Sequence, residues 1–200
     1  MSNINLISLD CETSGSDISK GAAMIQIGAS MKDGGHIYTY CQTLNPLDEN
    51  MWWEEEAAQV HKIPQEKVLK SPNRDDIDDG LYDWLIRHGA HPSHRDRNIA
   101  VGWNISGFDM PFVKKYLPRT FKLFSRRTLD LNALCFALDG KLDIATDSIY
   151  FWNEWKELSK NYAESLCPQS ENYGLHNAGW DSETALHSLD YLRIQMGRYL

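Results

Sequence analysis

The chain has 200 residues, of which 42% are hydrophobic, 11% aromatic and 24% charged, and this composition is typical of a globular protein. It excludes a disordered or fibrous protein. A net charge of −8 argues against general electrostatic attraction to nucleic acid, although bound cations can invert the sign of the charge locally. No apolar run approaches the roughly 18 residues of a membrane span, so we expect no association with a membrane.

The cysteines and the first residues favour a cytoplasmic protein. The four cysteines show no C-x-x-C spacing, so we expect free thiols in a reducing compartment and neither a zinc site nor a disulfide framework. The first residues, MSNINLISLD, lack the basic and then apolar regions of a secretion signal.

The first half of the chain predicts strands followed by helices. Strands separated by Gly- and Asp-containing turns are predicted over residues 4–13, 24–31 and 36–44. Helices are predicted from about Trp52 to Val60 and from Ile77 to His88, the second with one apolar face. The polar stretch 88–98 is predicted to be a loop, and its histidines lack the spacing and acidic companions of a metal site.

The second half alternates between strands and helices. A strand is predicted over 98–104, a helix from about Phe108 to Leu117, and a further strand and helix within 127–138. Residues 139–175 predict one or two helices joined by loops, and a long amphipathic helix begins at about Trp180. Because no linker divides the chain, we predict a single α/β domain over residues 1–200.

The first strand ends in two carboxylates, within the stretch ISLDCETSG. Residues two apart in a strand point to the same face, so Asp10 and Glu12 share a face with Leu6 and Ser8. Neighbouring like charges raise each other's pKa, and burying them without compensation costs free energy. Either the strand has ended and both residues lie in a solvated turn, or they belong to a site.

Two further acids lie where predicted helices begin. Asp109 heads an apolar stripe at positions i+3, i+4, i+7 and i+8, and Asp181 heads another at i+4, i+8 and i+11. A helix N-cap is an alternative role for Asp109, and Pro111 fits it. His176 precedes Asp181, and its alternative role is that of an ordinary loop histidine without a part in a site. If these groups meet, the acids require cations, and Mg²⁺ or Mn²⁺ prefers oxygen ligands.

The order of these motifs resembles that of the DEDDh 3′→5′ exonuclease superfamily, which includes proofreading subunits of bacterial replicative polymerases, ribonuclease T and oligoribonuclease. The motif D-x-E-T-[ST]-G is present as DCETSG at 10–15, the second motif as VGWNISGFD ending in Asp109, and H-x-A-x-x-D as HNAGWD at 176–181. The stretch 54–72 resembles the family's E-A-x-x-V-H-G-I signature, with Lys62 in place of the usual Gly. Asn177 stands where the sister branch has Tyr.

The resemblance implies a ribonuclease H-like fold, in which a mixed sheet of three antiparallel strands and then parallel strands is flanked by helices. It also implies metal-dependent hydrolysis of the 3′-terminal phosphodiester to nucleoside 5′-monophosphates. Asp10, Glu12, Asp109 and Asp181 would hold two divalent cations, Mg²⁺ or Mn²⁺, and His176 would be the general base. The expected partner is nucleic acid with a free 3′ end, with a polymerase or a second copy of this chain as further candidates.

The resemblance also indicates which residues hold the terminal nucleotide. These substrate contacts are Thr13, Ser14, His61, Asn104 and Phe108. An aromatic ring such as that of Phe108 can stack on a base without reading sequence, and a core position is its alternative role. Trp52, Trp53 and Trp103 are interpreted as core residues.

The identity of the substrate stays open at this point. The motif D-C-E-T-S-G favours single-stranded DNA as the substrate. Trimming of short RNA or of RNA 3′ ends is the alternative, because nothing in the sequence shows which residue contacts a 2′-hydroxyl. A non-catalytic nucleic-acid-binding or scaffold domain of the same fold is a second alternative. It is disfavoured because every acid and the histidine of the motifs are present.

Overall fold

A five-stranded mixed sheet forms the centre of the protein in a computed structural model, which describes residues 4–138, 151–170 and 173–199. The strands are β1 (Asn5–Thr13), β2 (Met24–Asp33), β3 (His36–Thr43), β4 (Asn98–Gly102) and β5 (Thr128–Asp130). Their order is β3-β2-β1-β4-β5. The first three strands are antiparallel, whereas β4 runs parallel to β1 and β5 runs parallel to β4. The predicted mixed sheet is therefore confirmed.

Helices cover both faces of this sheet. They are α1 (Glu55–His61), α2 (Gln65–Lys70), α3 (Arg74–Arg87), α4 (Asp109–Tyr116), α5 (Pro118–Phe121), α6 (Leu131–Leu138), α7 (Phe151–Leu166) and α8 (Ala178–Tyr199). The short helices α2 and α5 were not predicted, because each buries a single residue, Val68 or Thr120, and shows no apolar periodicity. Part of the stretch 139–175 forms α7, and residues 139–150 lie outside the described residues.

The two faces of β1 have different chemistry. Ile7, Leu9 and Cys11 point into the main hydrophobic core, which also contains the apolar face of α4. The opposite face carries Leu6, Ser8, Asp10 and Glu12 and packs against α8. There the Oγ of Ser30, on β2, lies 2.9 Å from the Oγ of Ser182, on α8. Small side chains let the helix backbone lie close to the sheet.

Gly28 marks the closest approach between helix and sheet. It pairs with Asp10 in the antiparallel register of β1 and β2. A Cβ atom at this position would lie only 1.8 Å from the carbonyl oxygen of Ala178, the first residue of α8. The amide of Ala178 in turn donates to the Gln26 side chain at 2.9 Å. The beginning of α8 is thus held directly over the end of β1.

The helix α4 packs on the other face of the sheet. Its predicted apolar stripe is buried throughout, at Asp109, Phe112, Val113, Tyr116 and Leu117. Within the described residues, no helix is both long enough and apolar enough to cross a membrane.

Candidate active site

The four predicted acids converge at the end of β1. Asp10 and Glu12 are supplied by β1, and Asp109 and Asp181 by the first turns of α4 and α8. Asp10, Glu12 and Asp181 line one side of a cavity of about 230 Å³, together with His176. Because β1 continues to Thr13 and Glu12 is only 9% exposed, the solvated-turn alternative is wrong.

Asp109 does not line this cavity, and its carboxylate contacts the backbone of β1. Its Oδ1 accepts a hydrogen bond of 2.9 Å from the backbone N–H of Cys11, between the two acids of β1. The residue is 3% exposed and is the first residue of α4, while Phe108 occupies the N-cap position. Asp109 is therefore a buried acid of the cluster and does not cap its helix.

Burial and the charges of neighbouring carboxylates disfavour the ionised form of every acid in the cluster. Burial raises the pKa of Glu12 to about 8, and the charges of Asp181 and Asp109 add to this effect. Burial also raises the pKa of Asp109 and that of Asp181, each to about 7. The pKa of Asp10 is raised well above its ordinary value by burial and by the three other carboxylates. Such a cluster is a donor set for hard cations, which would compensate its charge.

His176 faces the acids from a strained turn just before α8. One potential ligand atom each of Glu12, His176 and Asp181 lie within 4.8 Å of one another. The backbone of His176 has a φ of 63°, in the left-handed region that few residues other than Gly adopt. Burial, followed by the charges of Lys160 and Lys62, lowers the pKa of its imidazole, which favours the neutral form.

Several contacts fix this turn against α8. The Asn177 side chain caps the helix, because its Oδ1 accepts from the N–H groups of Gly179 at 3.1 Å and Trp180 at 3.2 Å. The hydroxyl of Tyr173 donates to the carboxylate of Glu183, on the first turns of α8. Trp180 is 1% exposed, and its indole N–H donates to the carbonyl oxygen of Cys167 at 2.9 Å.

A second cavity adjoins the acids on the side of α1. It has a volume of about 380 Å³, and Thr13, His61 and Phe108 line it beside Glu12. These three are among the predicted substrate contacts. Phe108 also packs on Phe112, with ring centroids 5.3 Å apart, so it combines a cavity position with its alternative role in the core.

His61 presents an unsatisfied donor in this region. Its Nδ1 accepts from the N–H of Ile63 at 2.9 Å, which places the hydrogen of the neutral ring on Nε2. The Nε2 atom is buried and has no hydrogen-bond partner among the described residues. Burial, followed by the charge of His176, lowers the pKa of His61. A buried donor of this kind normally has a partner, so it fits a ligand at the site.

The structure does not bring the two other predicted substrate residues to these cavities. The Ser14 hydroxyl donates to the carbonyl oxygen of Trp52 at 2.6 Å and accepts from the N–H of Ala23 at 2.9 Å. Asn104 is exposed in a turn with a φ of 55°, and its backbone N–H donates to Asp130 at 3.2 Å. Neither side chain lines either cavity.

The three tryptophans that were interpreted as core residues differ in their surroundings. Trp52 and Trp53 pack against hydrophobic clusters, as predicted. Trp103 also packs against a cluster, but it lines the cavity of the acids as well. The sequence reasoning missed Lys160 on α7, which lines the same cavity.

Comparisons with known proteins were made at the level of sequence and of structure. No protein-family model matches the chain, and no curated protein sequence matches it. Exonuclease I of E. coli, in a zinc-bound complex with single-stranded DNA, has a TM-score of 0.68 and 13% identity over 98% of this chain. The match covers 42% of exonuclease I, so this chain spans about two fifths of that protein's length.

Two further solved structures share the fold. Cell-death related nuclease 4 has a TM-score of 0.61 and 16% identity, over 98% of this chain and 65% of its own. The nuclease domain of 3′hExo, a DEDDh family member bound to rAMP, has a TM-score of 0.62 and 11% identity, over 98% of this chain and 93% of its own. The chain therefore has a DEDDh 3′→5′ exonuclease-type fold.

Proposed function

We propose that this chain is a divalent-metal-dependent 3′→5′ exonuclease that hydrolyses the 3′-terminal phosphodiester of nucleic acid and releases nucleoside 5′-monophosphates. The observation that carries the proposal is the convergence of Glu12, His176 and Asp181 within 4.8 Å, beside Asp10, on a fold shared with exonucleases. A scaffold protein has no need to bury several mutually repelling acids.

Asp10, Glu12, Asp109 and Asp181 would hold two Mg²⁺ or Mn²⁺ ions. Their carboxylate oxygens are the ligands that these ions prefer, and their raised pKa values are what an uncompensated cluster of such ligands shows. When bound, such ions lower the pKa of water and stabilise the attacking and leaving oxygens of a phosphoryl displacement.

His176 acts as the general base. Its lowered pKa keeps the imidazole neutral near pH 7, so the ring can accept the proton of the attacking water. Because the residue is exposed at the edge of the cavity, the proton can then pass to solvent. The turn of residues 173–177 holds the ring against the acids through its contacts with α8.

The second cavity holds the terminal nucleotide. Thr13 and Phe108 line it, and the free Nε2–H of His61 donates to the nucleotide. Ser14 and Asn104 stay predictions, since their side chains do not reach this cavity. A single domain, a cytoplasmic location and association with a polymerase or a second copy of the chain also stay predictions.

Single-stranded DNA is our first candidate substrate, since exonuclease I has this fold and was solved with single-stranded DNA. RNA is the second candidate, because the nuclease domain of 3′hExo, matched over 93% of its length, is bound to rAMP. Both candidates share the same chemistry at phosphorus. They differ in the accommodation of a 2′-hydroxyl at the terminal sugar.

The test uses 5′-labelled DNA and RNA oligonucleotides of one sequence with Mg²⁺. We expect the wild-type chain to shorten them from the 3′ end, and Asp181→Ala and His176→Ala to lose activity by about 100-fold or more. Asp190→Ala is the matched control, because Asp190 lies on the same helix as Asp181 but outside the acid cluster. Its carboxylate forms an ion pair of 2.6 Å with Lys32. Undiminished trimming by Asp181→Ala or His176→Ala would contradict the proposal. The ratio of the wild-type rates on DNA and RNA identifies the substrate.

Calorimetry distinguishes this function from a non-catalytic domain of the same fold. We expect the wild-type chain to bind Mn²⁺ and Asp181→Ala to bind it more weakly. Absence of Mn²⁺ binding by the wild-type chain would favour the non-catalytic alternative.

A further inference from the structure

The helix α7 places a lysine in the cavity of the acids. Lys160 lines this cavity together with Asp10, Glu12, His176 and Asp181. The position of α7 is set by small buried residues, Ser159 and Ala163, which lie against α8. The carbonyl oxygen of Ser159 accepts from the hydroxyl of Ser188, on α8, at 3.3 Å. Lys160 is therefore held on the helix pair that also carries Asp181.

The ammonium group of Lys160 lies near the acids without forming an ion pair. Its Nζ is 5.7 Å from the ring centroid of Trp103, which also lines the cavity. Its positive charge lowers the pKa values of Asp10, Asp181 and His176, so its electrostatic effect reaches two of the acids and the histidine. Within the part of the chain that the structure describes, no carboxylate lies within ion-pairing distance of Lys160.

A lysine in this place is unfavourable for metal binding on its own. An ammonium group has no lone pair to offer a cation, and its positive charge opposes the binding of a second positive charge nearby. It gains a favourable role once an anion enters between the cations and the lysine. In a phosphodiesterase site that anion is the phosphate of the substrate, whose charge spreads over its non-bridging oxygens during the reaction.

We infer that Lys160 is a further catalytic residue, whose ammonium group donates to a non-bridging oxygen of the scissile phosphate. This inference rests on the proposed function. Water attacks phosphorus, its proton passes to His176, and the bond from phosphorus to the 3′-oxygen of the preceding nucleotide breaks. The leaving 3′-oxygen takes a proton from solvent, and Lys160 keeps its own proton throughout, so its part is to stabilise the charge on the phosphate.

The first measurement is the single-turnover rate on a 5′-labelled DNA oligonucleotide at saturating Mg²⁺. Loss of one such donor typically costs about 100-fold in rate, and we expect this loss for Lys160→Met. Lys160→Arg keeps the charge and should retain a rate within about tenfold of the wild type. Lys156→Met is the matched control, because Lys156 also approaches the Trp103 ring, at 5.4 Å, but does not line the cavity. It should stay within about threefold of the wild type.

The second measurement identifies the phosphate that Lys160 contacts. The p-nitrophenyl ester of thymidine 5′-monophosphate contains the scissile phosphate but no upstream strand, so Lys160→Met should lose the same factor on it as on the oligonucleotide. A loss confined to the oligonucleotide would overturn the inference in favour of an upstream phosphate. If Lys160→Met requires more Mg²⁺ than the wild type for saturation and then reaches the wild-type rate, the inference is overturned in favour of an effect on metal affinity.

Outcomes for the wild type separate the two proposals. If the wild type hydrolyses both substrates and Lys160→Met does so equally fast, the inference alone fails. If the wild type hydrolyses neither, the proposed function fails and the inference falls with it. Thermal unfolding of each variant tests the fold, and we expect midpoints within about 2 °C of the wild type.

Discussion

Lys62 has both a strained backbone conformation and a charge that affects the candidate active site. It ends α1 with a φ of 56°, and its N–H donates to the carbonyl oxygen of Ala58 at 2.9 Å. This left-handed conformation is the one that Gly adopts most readily at a helix end, which explains the Gly in the signature that this stretch resembles. The lysine adds a positive charge that lowers the pKa of His176.

We expect Lys62→Gly to raise the free energy of unfolding by up to about 1 kcal/mol. The left-handed conformation costs a residue with a Cβ about 1–2 kcal/mol, and part of the gain is lost because Gly makes the unfolded chain more flexible. Removal of the charge should also raise the pKa of His176. Urea unfolding and an NMR titration measure the two effects.

Lys62→Ala separates these two causes. It removes the same charge but keeps a Cβ atom in the strained conformation, so it should raise the pKa of His176 without stabilising the protein. Equal stabilisation by both variants would contradict the role of backbone strain.

At the scale of elements, the contact between β2 and α8 determines where the third motif lies. We expect Gly28→Ala to destabilise the protein by about 3 kcal/mol, because the new methyl group meets the backbone of Ala178 and not a movable side chain. Since α8 carries Asp181, the activity should fall with the stability. Urea unfolding and the oligonucleotide assay measure both.

Gly197→Ala is the control for this substitution. Gly197 lies in α8, and a Cβ atom there has no neighbour within 4 Å among the described residues. Alanine favours helices over glycine by up to about 1 kcal/mol, so this variant should be as stable as the wild type or more so. A destabilisation as large as that of Gly28→Ala would refute the close approach as the cause.

The turn that carries His176 depends on the contact of Tyr173 with Glu183. We expect Tyr173→Phe to lower kcat severalfold with little change in KM, because the substrate cavities keep their linings while the base is held less firmly. A hydrogen bond to a charged group contributes about 1.5–3 kcal/mol, so the thermal midpoint should fall as well. Tyr162→Phe, on α7, is the control, since the Tyr162 ring packs on Tyr191 instead. An unchanged kcat would exclude a positioning role for Tyr173.

Elements with an apolar stripe were predictable, and helices were predicted within 139–175, but the position of Lys160 at the cavity was not predicted. The stripes headed by Asp109 and Asp181 are buried as predicted, because bulky apolar residues recur at helical spacing. In α7 the buried positions include the small residues Ser159 and Ala163, while Leu158 is 41% exposed. The apolar residues of α7 recur at helical spacing and predict a helix, but they do not show that Lys160 reaches the cavity of the acids. Only the packing of α7 on α8 brings Lys160 to the cavity.

For the whole molecule, the acid cluster makes the stability of the metal-free protein depend on pH. Folding raises the pKa of Glu12 from 4.5 to about 8, and the pKa values of Asp109 and Asp181 from 3.8 to about 7. The folded state thus binds more protons than the unfolded state, so this contribution to stability is present below about pH 4 and is lost as pH rises through 7 to 8. The lowered pKa values of His61 and His176 act in the opposite direction, but only below about pH 6.5.

We therefore expect the protein in EDTA to have a lower free energy of unfolding at pH 8.5 than at pH 6.5. Mn²⁺ should restore the stability at pH 8.5, because a ligand that binds only the folded state stabilises it. Urea unfolding at the two pH values, with and without Mn²⁺, measures this. In the double variant Glu12→Gln, Asp181→Asn, the free energy of unfolding should change less between the two pH values. The stabilisation by Mn²⁺ at pH 8.5 should also be smaller. Stability that is independent of pH and of Mn²⁺ would contradict the proposed ion site.

The distance along the chain between the site residues has a consequence for biosynthesis. Asp10 and Glu12 leave the ribosome first among the site residues, and His176 and Asp181 follow them only after more than 160 further residues have been made. Domains fold as units once their parts have emerged, so the docking of α8 on β2 comes last. A nascent chain that still lacks the segment from His176 onward therefore carries three of the four ion ligands and no base. The proposed activity is withheld from the messenger RNA and other nucleic acids near the ribosome until the fold is closed by α8.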